Sequence, residues 1–199
     1  DASKESEVIK FFKIVKKKFK YLDGLINNVG VAGPTGSIEK LNSRDWVRTL
    51  YVNVVSHFYF TKQTIPLMKK SKHGSIINIA SGAGIMGFPL RSPYVASKWA
   101  IVGLTKTLAM ELGKFKIRVN VICPGTIKGD RMKRVIRDKA KFTKISPKII
   151  EDDFISMSSM KTWVAEEDIG NMCAFLISNE ANKVSGQVIA VDGNTERMD

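Results

Sequence analysis

The chain predicts an α/β protein built on a doubly wound parallel sheet, and three observations carry that prediction. Short runs dominated by Ile and Val alternate with helix-forming stretches of ten or more residues, the pattern of βαβ units. Those runs hold adjacent apolar residues, as in Leu25-Ile26, Ile76-Ile77 and Val121-Ile122, which suits strands covered on both faces. Each run then gives way to Gly, Pro, Asn or Ser, so these turns gather at what right-handed crossovers make a single edge of the sheet.

Val8, Phe11, Phe12, Val15 and Phe19 recur at helical spacing over residues 4–20 with lysines between them, giving an amphipathic first helix. Asp23-Gly24 leads into a short buried strand, Leu25 to Val29, that stops at Gly30. A loop with Gly33, Pro34 and Gly36 follows. Asn42 or Ser43 can cap a long helix running to about Lys70, with Pro66 expected to disturb its last turns. Gly74 opens the second strand, Ser75 to Ala80. A Gly-rich stretch, Gly82 to Gly87, separates it from a helix over Pro93 to Gly113. The third strand is Ile117 to Ile122, ended by Pro124-Gly125. Residues 126–165 are basic and irregular and suggest two short helices and a lid. A helix from Ala165 to Ser178 and a strand from Gln187 to Val191 follow.

A length of 199 residues suits one well-cored domain. No apolar run approaches the roughly 18 residues that cross a bilayer. Neither a signal peptide nor an initiator Met opens the chain, so a cytoplasmic protein with residues ahead of Asp1 is expected. Cys123 and Cys173 stand apart, outside any C-x-x-C, and read as buried free thiols. His57 and His73 are isolated, and no metal site is expected. The net charge of +13 raises the question of nucleic acid. Its lysine runs, at 16–18 and at Lys69, Lys70 and Lys72, and the basic segment 131–148 lack the interleaved aromatics of a stacking platform. They read as a solvated basic surface, with no nucleic-acid partner.

The chemistry is concentrated in three residues. Tyr94 and Lys98 are four apart in a helix-forming run, so their side chains share one helical face, and Ser81 lies thirteen residues before Tyr94 at the end of a strand. A free phenol titrates near 10, too high for acid–base work at neutrality. A neighbouring ammonium favours the phenolate and brings it toward the working range. The Ser81 hydroxyl can then hold a carbonyl or alcohol oxygen.

Around this trio stand Asn27-Asn28-Val29-Gly30, Asn53 in Val52-Asn53-Val54, Ile79-Ala80-Ser81-Gly82, Pro93-Tyr94-Val95-Ala96-Ser97-Lys98, Pro124-Gly125-Thr126-Ile127, and Ser185-Gly186-Gln187 followed by Val191-Asp192-Gly193. Together, in this order and spacing, they resemble the short-chain dehydrogenase/reductase family over essentially the whole chain. The resemblance implies a single partial Rossmann-like domain over residues 1–199, with 126–165 as the substrate lid. By the family pattern the sheet's first three strands and two helices are missing here. They amount to roughly 60 residues ahead of Asp1, including the glycine-rich turn that holds a dinucleotide pyrophosphate. If the chain continues upstream, the resemblance implies an enzyme. If it truly starts at Asp1, a non-catalytic binding or structural subunit is implied. The family also often carries Thr five residues after the Pro of its Pro-Gly turn, where this chain has Gly129.

For an enzyme, the resemblance implies reversible hydride transfer between NAD or NADP and an alcohol/carbonyl pair. Tyr94 is then the general acid/base. Lys98 supports the phenolate and bonds the nicotinamide ribose, Ser81 orients the substrate oxygen, and Asn53 distorts its helix slightly and holds a water that links Lys98 to solvent. Asn27 and Gly30 would floor the adenine ribose, Pro124, Gly125 and Ile127 would line the nicotinamide, and Asp1 would contact adenine. The residues that choose NAD or NADP fall outside the chain. The basic segment from Gly129 to Val164, with Arg131, Arg134 and Arg137, admits an anionic or carrier-bound substrate. Helices 45–70 and 94–113 carry spare apolar surface (Phe58, Tyr59 and Phe60; Trp99, Val102 and Leu104), and family members pair through them, which implies a homodimer or homotetramer.

Overall fold

The computed structural model describes residues 1–71 and 73–195. Four strands form one parallel sheet in the order β1-β2-β3-β4: β1 (Gly24–Asn27), β2 (Gly74–Ile79), β3 (Ile117–Pro124) and β4 (Val188–Val191). Seven α-helices accompany them: α1 (Glu5–Lys18), α2 (Ser43–Leu50), α3 (Ser56–Met68), α4 (Ser92–Leu112), α5 (Asp130–Thr143), α6 (Pro147–Ser156) and α7 (Glu166–Ile177).

Both faces of the sheet are covered, as the adjacent apolar residues of its strands suggest. Ile76 and Ile77 are neighbours in β2, point to opposite faces and are both fully buried. Ile76 joins Met68, Leu108, Leu112, Ile117 and Val119 beneath α3 and α4, whereas Ile77 joins Ile79, Ile122, Cys173 and Leu176 beneath α7. Each such side chain contributes on the order of 1.5–3 kcal/mol of burial. A polar thread crosses the first of these layers. Asn27 Nδ2 donates to Asn78 Oδ1 at 2.9 Å and Thr61 Oγ1 at 3.2 Å, and Asn78 Nδ2 donates to Thr105 Oγ1 at 2.9 Å.

The expected long helix of residues 43–70 is instead two α-helices joined by a π turn, Tyr51–Val55. Asn42 is the cap, its Oδ1 accepting from the Arg44 and Asp45 amides at 2.8 and 3.4 Å. Pro66 lies inside α3, which nonetheless runs on to Met68. The amphipathic first helix packs Val8 and Phe12 against Tyr59 and Leu67 of α3.

Residues 126–165 contain the two short helices foreseen, α5 and α6, around a small core of their own: Ile136, Ala140, Ile150 and Phe154. An Ile127–Val164 bridge joins the two ends of the segment, and the Ser159 and Met160 amides tie it to the turn after β4 by donating to the Asn194 and Gly193 carbonyls. No helix among the described residues is long and apolar enough to cross a membrane.

Candidate active site

Asn27, Ile79, Pro124 and Val191 end their strands at one edge of the sheet, and the residues singled out from the sequence converge there. Ser81 follows β2 in extended backbone, and its Oγ accepts from the Ala83 amide at 3.2 Å, starting the tight turn Gly82–Gly84. That turn lies against α4 closely enough that a Cβ on Gly84 would come 3.0 Å from the Lys98 carbonyl oxygen. The absence of side chains in the turn therefore brings the Ser81 strand end beside the Tyr94 helix.

On α4, Tyr94 is half-buried while Lys98 is 3% exposed. The Lys98 ammonium donates to the Ile79 carbonyl at 3.0 Å and lies 5.6 Å from the Tyr94 ring centroid. Burial, and after it the nearby Arg131, pull its pKa down to about 7 against an opposing effect of Cys123. No hydrogen bond joins Tyr94 to Ser81 among the described residues.

Asn53 is fully buried in the middle of the π turn. Its Oδ1 accepts from the Val31 amide at 2.7 Å, and its Nδ2 donates to the Val31 carbonyl at 3.0 Å and to Ser97 Oγ at 2.9 Å. Ser97 in turn donates to the Tyr94 carbonyl at 2.7 Å. The extra residue of a π turn aims Asn53 across to α4, a use such turns often have. A Cβ on Gly30 would sit 3.3 Å from Asn53 Oδ1 and 3.7 Å from Lys98 Nζ, so Gly30 leaves open the floor between the two. Beneath it His57, buried, meets the Val29 carbonyl through Nε2 at 3.1 Å, and burial pushes its pKa down to about 4.

At the end of β3, Gly125 packs on Asp192, where an added Cβ would fall 2.7 Å from the Asp192 Cα. The Gly125 amide donates to the Val191 carbonyl at 3.0 Å. The Ile127–Val164 bridge runs through the Thr126 carbonyl, which accepts the Val164 amide at 3.0 Å and leaves the Ile127 amide uncommitted. The Asn27 carboxamide is turned inward, into the polar thread, so only its backbone faces the edge. Asp1 lies apart, its carboxylate accepting from the Ser3 amide and hydroxyl at 2.9 and 2.7 Å. With Ser3, Val31, Arg44, Arg48 and Tyr51 it lines a surface hollow of about 540 Å³. Gly129 precedes α5 without a side-chain cap.

Two participants, Ser97 and Arg91, went without a role in the sequence, and Arg131 was read there only as one of the lid's basic residues. Ser97 links Asn53 to the Tyr94 turn. Arg91, immediately before α4, sets its guanidinium carbon 5.0 Å from the Tyr94 ring centroid and donates through Nη2 to the Ala32 carbonyl at 2.9 Å. Arg131, at the start of α5, donates to the Gly30 carbonyl. Arg91 is the N-cap residue of α4 with non-helical dihedrals, so helical spacing from Tyr94 does not foretell its place against the ring.

Residues 1–194 match the family model described as enoyl-(acyl carrier protein) reductase. The chain is 34% identical over 194 residues to D-beta-hydroxybutyrate dehydrogenase of Rhizobium meliloti, covering 97% of this chain and 75% of that protein. It is 36% identical over 198 residues to an uncharacterized oxidoreductase of Thermotoga maritima, covering 98% and 74%. The crystal structure of an NAD⁺-bound xylitol dehydrogenase superposes with a TM-score of 0.92 at 31% identity, covering 98% of this chain and 76% of that one. With the convergent edge just described, these likenesses establish that the chain belongs to the short-chain dehydrogenase/reductase family and is an oxidoreductase of that family.

Proposed function

We propose that this protein interconverts an alcohol and a ketone or aldehyde, with NAD or NADP as redox partner and Tyr94 as general acid/base. The observation that carries the reading is the interlock around Tyr94. Lys98 is bonded to the strand end that leads to Ser81, and Asn53 is bonded through Ser97 to the Tyr94 backbone. Such bonding fixes reacting groups before substrate arrives.

The residues present fit the nicotinamide half of a dinucleotide. Gly30 leaves an open floor next to Asn53 and Lys98, and the Ile127 amide is free to meet a carboxamide. Tyr94 and Lys98 would hold the ribose, Pro124, Gly125 and Ile127 the nicotinamide ring, and the Asn27 and Gly30 backbone the adenosine side, with Asp1 toward adenine. When bound, the nicotinamide supplies or accepts the hydride. In oxidation Tyr94 takes the alcohol proton, and in reduction it returns that proton to the carbonyl oxygen. Ser81 Oγ accepts from the Ala83 amide and so keeps its own O–H to donate to the reacting oxygen, stabilising the charge that builds on it. Lys98 as the ammonium stabilises the phenolate, and once it has released a proton to a water held at Asn53 its neutral amine can take the one that Tyr94 carries. Both Asn53 amide hydrogens are used, so that water meets Oδ1 or the backbone of the π turn.

β1 is one edge of the sheet, along which the glycine-rich strand of the family would pair. Residues 126–165 would act as the lid. Phe58 and Trp99, each about half exposed, would meet a second copy in a homodimer or homotetramer. Two unpaired thiols, Cys123 and Cys173, suit a reducing cytoplasm.

The test is a screen of the full-length protein against alcohols and ketones with both cofactors, following nicotinamide absorbance. Turnover that Tyr94→Phe abolishes is the expected result. Turnover that survives the substitution refutes the role of Tyr94, and none with any substrate favours a non-catalytic subunit. A monomer mass in light scattering at micromolar concentration would refute the oligomer.

A further inference from the structure

We propose that Arg91 and Arg131 form an anion subsite beside Tyr94, and that the alcohol or ketone taken by this enzyme carries a carboxylate. The inference rests on the reaction just proposed and adds the substrate class to it.

Arg91, at the N-cap of α4, sets its guanidinium carbon 5.0 Å and Lys98 its ammonium 5.6 Å from the Tyr94 ring centroid, so the phenol has two cations beside it. The cations are not equivalent. Lys98 is buried and already bonded to the Ile79 carbonyl. Arg91 spends Nη2 on the Ala32 carbonyl, while its Nε is buried with no hydrogen-bond partner. A buried guanidinium N–H left unsatisfied is costly in a finished protein and ordinary in a site that waits for a ligand.

Arg131 approaches the same short loop from α5, donating to the Gly30 carbonyl, so two guanidiniums from different elements hold residues 30–32. Neither has a carboxylate within salt-bridge distance among the described residues. The carboxylate of this neighbourhood, Asp138, pairs instead with Arg137 at 4.0 Å. With Asp138 taken up by Arg137, the Arg91 and Arg131 guanidiniums keep their positive charge, which suits an anion. The planar fork of Arg matches a carboxylate with two parallel bonds. With the Arg91 guanidinium carbon 5.0 Å from the Tyr94 ring centroid, a carboxylate one or two carbons from the reacting carbon spans the gap.

The experiment compares kcat/KM for racemic 3-hydroxybutyrate and for its methyl ester, in the full-length protein and in Arg91→Gln, Arg91→Lys, Arg131→Gln and, on the exposed surface of α5, Arg134→Gln. The acid-to-ester ratio is expected to fall about 100-fold in Arg91→Gln, the scale of a lost charge-assisted pair, mostly through KM. Arg91→Lys should recover part of the ratio and Arg134→Gln should leave it unaltered. If Arg91→Gln does not fold, Arg131→Gln carries the test, with a drop of about tenfold expected. A ratio that Arg91→Gln or Arg131→Gln does not move overturns the proposal. So does a loss confined to NAD or NADP affinity, measured by fluorescence titration, because the arginines would then hold the cofactor's phosphates. If neither compound turns over, calorimetry with isobutyrate and isobutyramide reads the subsite without chemistry. Preferential binding of isobutyrate that Arg91→Gln removes supports it, and equal binding of the two overturns it.

Discussion

Two regions meet at the carboxyl edge of the sheet, and they are built differently. Beside Ser81 and Tyr94, the polar ends of Lys98 and Asn53 are buried and bonded to other elements, so that α4, the π turn and β2 are locked together. The α5–α6 layer has only a small private core and carries its many lysines and arginines in water. The contrast teaches a division of labour. Proton transfer needs groups fixed to fractions of an ångström, whereas admitting and selecting a substrate needs a part that can move independently of them.

That division can be broken or sharpened by substitution. Tyr94→Phe makes the largest expected change, a loss of turnover on the order of 10³-fold with the melting temperature nearly unaltered. A parallel loss of stability, seen by calorimetry, would mean that the ring is structural. Asn53→Ala leaves the Val31 amide and carbonyl and Ser97 Oγ without their partner, and should cost about 3 kcal/mol in denaturant unfolding. As a positioning residue it should also displace the pH profile of kcat/KM, which a purely structural role would not do.

His57 supplies the next effect. Its pKa is about 4 in the folded chain against an ordinary 6.5, so between those values the unfolded chain binds a proton that the folded one refuses. Stability must therefore fall as pH drops from 6.5 toward 4, by about 2–3 kcal/mol from this group. His57→Gln should flatten that limb in melts recorded across the range. Lys98 acts at the other end. Its lowered pKa means that stability rises as pH climbs from about 7 toward 10.5.

Ile150→Ala removes a buried side chain from the α5–α6 core and should cost about 2 kcal/mol. Hydrogen exchange should then quicken in α5 and α6 before it does in β2 and β3; simultaneous quickening would erase the contrast between the regions. Phe142, 41% exposed on α5, should tolerate Ser within about 0.5 kcal/mol in the same unfolding assay.

Much of this was legible in the residues. The adjacent Ile76 and Ile77 of β2 and Val121 and Ile122 of β3 announced strands covered on both sides, and Tyr94 with Lys98 announced a shared helical face. The break at Tyr51–Val55 was not legible in local propensity, since no Gly or Pro marks it. It accompanies the bonds of Asn53 to Val31 and Ser97, on separate segments that sequence spacing does not bring together. The inward turn of Asn27 was hidden for the same reason, because its partners Asn78 and Thr61 lie on other elements. Arg91 was overlooked because an arginine ahead of a helix is ordinarily a solvated one, and only the fold sets it against the Tyr94 ring.

The thread from Asn27 through Asn78 to Thr105 has a consequence for assembly of the sheet. Strands made of interchangeable Ile and Val could slide past one another by a residue with little change in hydrophobic contact. Here such a slip would strand two carboxamides in hydrocarbon, a penalty of several kcal/mol. The asparagines therefore act as alignment pins: they help bring the ends of β1 and β2 level, and so bring Gly30 and Ser81 to the same height beside Tyr94.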